Sequence, residues 1–519
     1  MPRSRSILTR AGSCAGSWTA RALVALLLIA PLPGCDHGLP DDGVIRVGLS
    51  GPARNLDPRF ATDATSERIN RLLYRRLVEF DEQRLPVPGL ATWQRLSPSY
   101  YRFRLGAEGR DFTDGSRLTA DDVVATYASV LDAANASPHR AQLATIASVE
   151  ALDPDTIDFR LSLPDPLFPA YLAEGILPAA VVRSGRKLTD APIGSGPFRV
   201  LDWPEPGRLV LERRTDGQVM ELLAVKDPSV RVMKLLRGEI QMLQNDLSPE
   251  LIDYLAGRPG VDVEVRPGRN FSYLGFNLED PLTGDPRVRL ALAHALDREA
   301  LIHYLFRDRA ESAEAIFPPD HWAGNSRLAP YAFDPERARA LLAEIGHGPE
   351  RPLELTMKTS SDPFRIRLAT AIQAQLVPVG IALTIRSYDW GTFFGDVKAG
   401  RFQLYGLTWV GINTPDIFRY AFHSASIPPA GANRGRYRSP RADALIEAAS
   451  AAQDLGEQAR LYRELQGLLH EQLPYLPLWY ESQVLARRTE LRGYRLAPDG
   501  NYDGLEFVRL APASALERR

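Results

Sequence analysis

The chain has 519 residues, 45% of them hydrophobic and 24% charged, with 39 glycines and 41 prolines. That is the make-up of a folded globular protein of several domains, and it excludes a disordered or collagen-like chain. A formal charge of −2 leaves no positive excess to neutralise phosphates, which argues against a nucleic-acid partner, and Cys14 and Cys35 are too few for a disulfide framework or a structural zinc site.

At the N-terminus, Arg3, Arg5, Arg10 and Arg21 flank no acid and lead to the apolar run 22–30 and then Pro31-Leu32-Pro33-Gly34-Cys35. A membrane-spanning helix needs roughly 20 apolar residues, so this short run suits a cleaved signal peptide. Leu32-Pro33-Gly34-Cys35 resembles a bacterial lipobox, in which the Cys is diacylated and becomes the new N-terminus. The expectation is a signal peptide over 1–34, a lipid on Cys35 and a polar tether over 35–43. Ordinary cleavage nearby, with Cys35 left as a thiol, is the alternative. Asp36 resembles the residue that keeps some such lipoproteins at the inner membrane.

Residues 44–49 alternate as a strand that opens the fold. Between 65 and 80, Ile69, Leu72, Leu73, Leu77 and Phe80 fall at helical spacing, and Thr119 with Asp121 and Asp122 caps a helix over 123–131. The stretches 101–105 and 156–161 read as period-two strands, polar on one face. Asp285-Pro286 and Asp334-Pro335 each open a helix. Strand, helix and strand then follow over 353–356, 363–376 and 381–385, an α/β unit. Helices over 441–452 and 456–473 and an apolar strand over 475–480 complete the pattern.

No Gly-x-Ser-x-Gly elbow, His-Glu-x-x-His helix or Walker loop occurs. The glycine-rich Gly194-Ser195-Gly196-Pro197 runs into Pro197 and a strand, so it reads as a tight turn rather than a phosphate cradle. His294 and His303 lack metal-ligand spacing, and Asp153, Asp155 and Asp158 lack the glycine and terminal glutamate of a calcium loop. The sequence therefore predicts no enzyme, no metal and no cofactor.

Several stretches, in order, resemble bacterial extracellular solute-binding protein family 5, the peptide- and nickel-binding lipoproteins of ABC importers. They are Asn55-Leu56-Asp57-Pro58, Pro88-Gly89-Leu90-Ala91-Thr92-Trp93, the segment Phe112-Thr113-Asp114-Gly115-Ser116-Arg117-Leu118-Thr119-Ala120-Asp121-Asp122-Val123, the turn Gly194 to Pro197, Phe276-Asn277 and Asp285-Pro286-Arg287-Val288-Arg289-Leu290-Ala291. The resemblance implies an α/β, two-lobed type II periplasmic-binding-protein clamp with an extra subdomain in its first lobe. It implies lobe I over 44–85, 193–272 and 481–519, the extra subdomain over 86–192 and lobe II over 273–480, with hinge strands near 270–278 and 476–485. A monomer, tethered to the membrane by its lipid alone, would carry a peptide or peptide-like ligand to an ABC permease and its ATPase subunits, outside the cytoplasm and without touching nucleic acid. The alternatives are a nickel chelate, an oligosaccharide or an opine-like compound on the same fold, or a periplasmic enzyme or chaperone.

For the pocket, the resemblance points to Trp390 and Trp409, which keep a nineteen-residue spacing seen in peptide-binding relatives, and to Thr408 and Val410 as backbone alongside an extended ligand. The relatives' ammonium-binding Asp corresponds to Ile412, and their Arg positions fall on Val397 and Gly406. Asp63 and Asp416 are then candidates to hold a cation, and Lys358, Arg365 and Arg434 an anion. Tyr273, Trp479 and Tyr480 offer flat rings near the lobe interface, and the loop at Asn433-Arg434 offers amide and guanidinium donors.

Overall fold

Apolar residues at alternate positions put Ile45, Val47 and Leu49 into a core from a strand, β1 (Ile45–Leu49), that pairs on both sides. The protein is seen in a computed structural model that describes residues 42–81, 84–140, 142–186, 191–412 and 414–511. The signal peptide and the lipidated Cys35 expected from the sequence lie outside these residues.

Two sheets organise the chain. A four-stranded antiparallel sheet contains β2 (Ala91–Ser97), β3 (Tyr100–Leu105), β4 (Ile146–Asp153) and β5 (Thr156–Leu161) in the order β2-β3-β5-β4. Helix Ala120–Leu131 covers it, started by the Asp122 carboxylate, which accepts from Thr119 N at 2.7 Å and Thr119 Oγ1 at 3.0 Å. Phe103, Phe159, Phe168 and Tyr127 interlock there at 5.3 to 6.4 Å between ring centres. One expectation changes: Asp158, on the polar face of β5, is buried, because Arg102 Nε at 2.8 Å and the Tyr100 hydroxyl donate to its carboxylate.

The larger, eleven-stranded mixed sheet takes β6 (Phe198–Glu205), β7 (Arg208–Arg213), β8 (Val219–Ala224), β9 (Met242–Gln244), β10 (Val261–Phe276), β11 (Ala310–Ser312), β12 (Leu353–Ser360), β13 (Ile381–Tyr388), β14 (Leu404–Trp409) and β15 (Tyr475–Arg488) together with β1. Its order is β13-β12-β14-β10-β15-β9-β1-β8-β7-β6, with β11 also on β15. The parallel pair β12 and β13 is joined by helix Pro363–Leu376, the α/β unit expected from the sequence.

The two longest strands, β10 and β15, run antiparallel to each other from Val261 opposite Arg488 to Gly275 opposite Tyr475, with an irregularity between Arg266 and Asn270. One end of this ribbon packs Leu274, Phe276, Leu476 and Leu478 into a core with helix Pro286–Ala295. At the other end Leu485 joins Ile45, Val47 and Leu222 in a second core. The stretches read as hinge strands thus lie in the ribbon that links two separately packed halves.

The helix expected over 65–80 stops at Leu73. Ile69, Leu72 and Leu73 belong to the core around β1, whereas Leu77 and Val78 pack on the four-stranded sheet. Apolar residues that share a helical spacing here serve two cores, so the chain must leave the helix. Tyr74 turns extended and donates its hydroxyl to Leu56 O at 2.8 Å. The Gly194 to Pro197 turn crosses at this point: Gly196 N donates to Leu73 O at 2.8 Å, and a Cβ on Gly194 would sit 2.0 Å from Leu73 O. Close backbone approach explains these glycines.

Candidate functional site

Strand β14 pairs with β10 along its whole length, Leu404 opposite Phe276 to Trp409 opposite Phe271. On its other side it meets β12 only at Leu404 and Tyr405. From Gly406 to Trp409 that edge carries no strand partner among the described residues, leaving amides and carbonyls open to an added strand.

Along this edge the structure gathers side chains that are far apart in sequence. Trp390 begins helix Trp390–Ala399, is largely exposed, and stacks on Phe394 one turn later, with ring centres 5.4 Å apart and planes 8° from parallel. The Arg434 guanidinium carbon lies 5.1 Å from the Phe394 ring and 4.6 Å from the Trp409 ring. Trp409 is stacked with Tyr273 at 6.5 Å, and Tyr273 with Tyr475 at 4.0 Å. Arg434 Nη1 donates to the Tyr273 hydroxyl at 3.3 Å. Val410, next along, is exposed, and Tyr420 stands edge-on to Trp409 at 6.2 Å. The result is a ladder of rings with one cation between two of them.

Below the ladder, Thr408 Oγ1 lies 2.7 Å from Ser272 Oγ, and both hydroxyls reach Glu481 Oε1, at 3.2 and 2.7 Å. Arg365 Nη1 donates to the same oxygen at 2.9 Å. Burial alone would push the Glu481 carboxyl up, but the guanidinium and the two hydroxyls outweigh it and hold the group below its ordinary range. Glu481 is therefore a paired anion within the β15 ribbon.

Other residues singled out from the sequence are placed elsewhere. Trp479 is fully buried in a core against Phe306 at 4.9 Å, and the buried Tyr480 donates its hydroxyl to Ala315 O at 2.6 Å. Trp479 thus packs in the core on the face of the sheet opposite the ladder, whereas Tyr480 lies in the same core as Tyr273 and Tyr475, one ring removed from Tyr273 through Phe271, because consecutive residues on β15 face opposite sides. Asp63 caps helix Ala64–Leu73 by accepting from Ser66 N at 2.9 Å. Asn433 is buried and staples its own loop, donating to His423 O at 3.1 Å and Tyr437 O at 2.7 Å. Lys358 is paired with Asp396 at 2.6 Å. Asp416, pushed up to about 6 by burial, accepts from Gln142 at 3.0 Å and from Thr414.

Sequence reasoning missed Phe394, Ser272, Tyr475 and Glu481. Phe394 was findable as the helical i+4 neighbour of Trp390, and Glu481 as the carboxylate that directly follows the apolar run 475–480. Ser272 and Tyr475 carry no local signal, since only strand pairing brings them to the site.

Residues 86–427 match the family described as bacterial extracellular solute-binding proteins, family 5 Middle. The chain belongs to this family. Di/tripeptide-binding protein 2 of Pseudomonas aeruginosa is 30% identical over 482 residues, covering 85% of this chain and 90% of its own length. The dipeptide-binding protein of Escherichia coli is 28% identical over 493 residues, covering 87% and 92%. The ABC transporter-associated periplasmic binding protein from Helicobacter pylori in complex with the peptide STSA has a TM-score of 0.79 at 26% identity, over 90% of this chain and 98% of that one.

As a family 5 solute-binding protein, the chain is a two-lobed type II clamp that works outside the cytoplasm. Family 5 is a family of binding proteins, not of enzymes. In this family 5 chain, polar contacts away from the ribbon also join segments distant in sequence. Gln142 reaches Asp416, Arg95 Nη1 donates to Gln453 O at 2.7 Å, and Arg367 pairs with Glu250 at 3.0 Å.

Proposed function

We propose that this protein captures a peptide or peptide-like solute between its lobes and delivers it to an ABC import permease. The observation that carries this reading is the unpaired edge of β14 from Gly406 to Trp409, flanked by the aromatic ladder. A strand edge recognises amides and carbonyls that every peptide shares, and ring faces beside it accept varied side chains with little loss of entropy. The peptide binding named for relatives in two genera supports the same reading.

Residues 44–85, 193–272 and 481–519 would form lobe I, 86–192 its extra subdomain and 273–480 lobe II, bending at the β10 and β15 ribbon. A solute that touches both lobes makes all its contacts only when they are closed, so it shifts the population toward closure by its differential affinity. The permease would read the closed form. Lipidation of Cys35 would keep the monomer beside the membrane, since two acyl chains on one Cys anchor stably where a single chain holds only marginally. No cofactor enters this cycle, because the ATPase subunits drive transport.

Mass spectrometry of solutes released from protein purified under native conditions tests the reading. Peptides returned with their bonds intact are expected. Recovery of sugars or metal chelates without peptides would overturn it.

A further inference from the structure

The three cations singled out from the sequence differ in one respect. Lys358 is neutralised by Asp396 at 2.6 Å, and Arg365 by Glu481 at 2.9 Å. Arg434 makes no ion pair among the described residues, and its side-chain hydrogen bond there goes to the Tyr273 hydroxyl, a neutral group, at 3.3 Å. Yet Arg434 is only 9% exposed. A guanidinium carries five N–H donors, and a charge taken out of water without a counter-charge costs several kcal/mol.

The surroundings show how the charge is held. Phe394 and Trp409 contact it with their rings. These contacts offset part of the burial cost, but a ring face satisfies no N–H donor. Beside it, Trp409 Nε1 is also buried, with no hydrogen-bond acceptor among the described residues, and the open backbone edge of β14 ends at this tryptophan. Among the described residues, the carboxylate below the ladder is not free for an ammonium group. Glu481 is committed to Arg365, Ser272 and Thr408, and Ile412 follows Trp409 where a cation-binding acid would be useful.

We infer that Arg434 is the receptor for a carboxylate of the captured solute, so that a peptide is held by its carboxyl end and its amino end is left unanchored at this ladder. The inference rests on the reading that solutes are captured beside β14. It defines the ligand class as acids: peptides with a free C-terminus, whether or not the N-terminus is blocked, and other solutes that offer a carboxylate beside an extended amide or apolar body.

The test uses calorimetry on the full chain with mixed-sequence di- to tetrapeptides in three forms: free at both ends, N-acetylated, and C-amidated. A fourth pool holds non-peptide carboxylates such as N-acyl amino acids and opine-like acids. Amidation is expected to weaken binding by about 100-fold or more, as loss of a buried charge partner does, and N-acetylation by less than about tenfold. Arg434→Gln should bind acid and amide alike, while Arg434→Lys keeps a preference for the acid. The acid-to-amide comparison on the unsubstituted chain stands even if a variant misfolds. Amides binding as tightly as acids would overturn the inference and leave the peptide reading intact. Binding confined to the non-peptide acids, and lost in Arg434→Gln, would overturn the peptide reading and support the inference. No binding from any pool would overturn both.

Discussion

Asp165 offers a measurable link between burial and pH. Its side chain is 3% exposed, accepts from Leu167 N at 2.8 Å, and faces Gln458, Tyr171 and Asp416. Burial is the largest influence and pushes its carboxyl from the ordinary 3.8 up to about 6. The folded state therefore holds a proton that the unfolded chain has released between those values. Stability from this group is complete below pH 4 and is lost as pH rises through 6. At ~1.4 kcal/mol per pH unit, the displacement is worth ~3 kcal/mol. Asp165→Asn has nearly the same shape, still accepts from Leu167 N, and never ionises. It should exceed the parent in stability by up to ~3 kcal/mol at pH 8, with the gap closing through pH 6 and gone by pH 4. Urea unfolding at fixed pH values between 4 and 8, followed by circular dichroism, measures this. A gap of constant size across the series would refute the reasoning, since it would show that the carboxyl ionises equally in both states.

Trp409→Ala removes a ring between Tyr273 and Arg434; calorimetry should show solute affinity reduced by about 10- to 100-fold, at ~1.4 kcal/mol per tenfold, with the fold retained because Trp409 is only half-buried. An unchanged affinity would place the ring outside the site. Gly194→Ala puts a Cβ 2.0 Å from Leu73 O and should cost ~3 kcal/mol, whereas Gly207→Ala, with nothing within 4 Å, should be near neutral; equal thermal midpoints for the two variants would contradict the crossing. Arg213 is buried and donates to Leu505 O and Glu506 O at 3.2 Å and to Val508 O at 2.8 Å. Its replacement by Met strands those carbonyls, at ~1–3 kcal/mol for each buried group left unsatisfied, and should speed hydrogen exchange over 503–510. Protection equal to the parent's would show that the segment is held by other contacts.

Much of the clamp was written locally. Asp-Pro before a helical spacing set the starts of helices Pro286–Ala295 and Pro335–Ala343, because the Asp side chain caps the first turn and proline gives up an N–H that would have no partner. The period-two stretches at β3 and β5 became strands for the same local reason. The Trp390 and Trp409 spacing and the Asn433-Arg434 loop pointed to side chains that the fold brings together around the Arg434 guanidinium. What tertiary structure alone decided was partnership. The sequence could not say that helix Ala64–Leu73 must end where its apolar residues divide between two cores. Nor could it say that Trp479 and Tyr480, neighbours on β15, enter different cores, Tyr480 the one that also holds Tyr273. Nor did it separate the three cations: Lys358 and Arg365 find carboxylates only through the pairing of distant strands and helices, and Arg434 finds none among the described residues. A charge is available to a solute only after the fold has settled its internal neutralisation, and that depends on residues tens to hundreds of positions away.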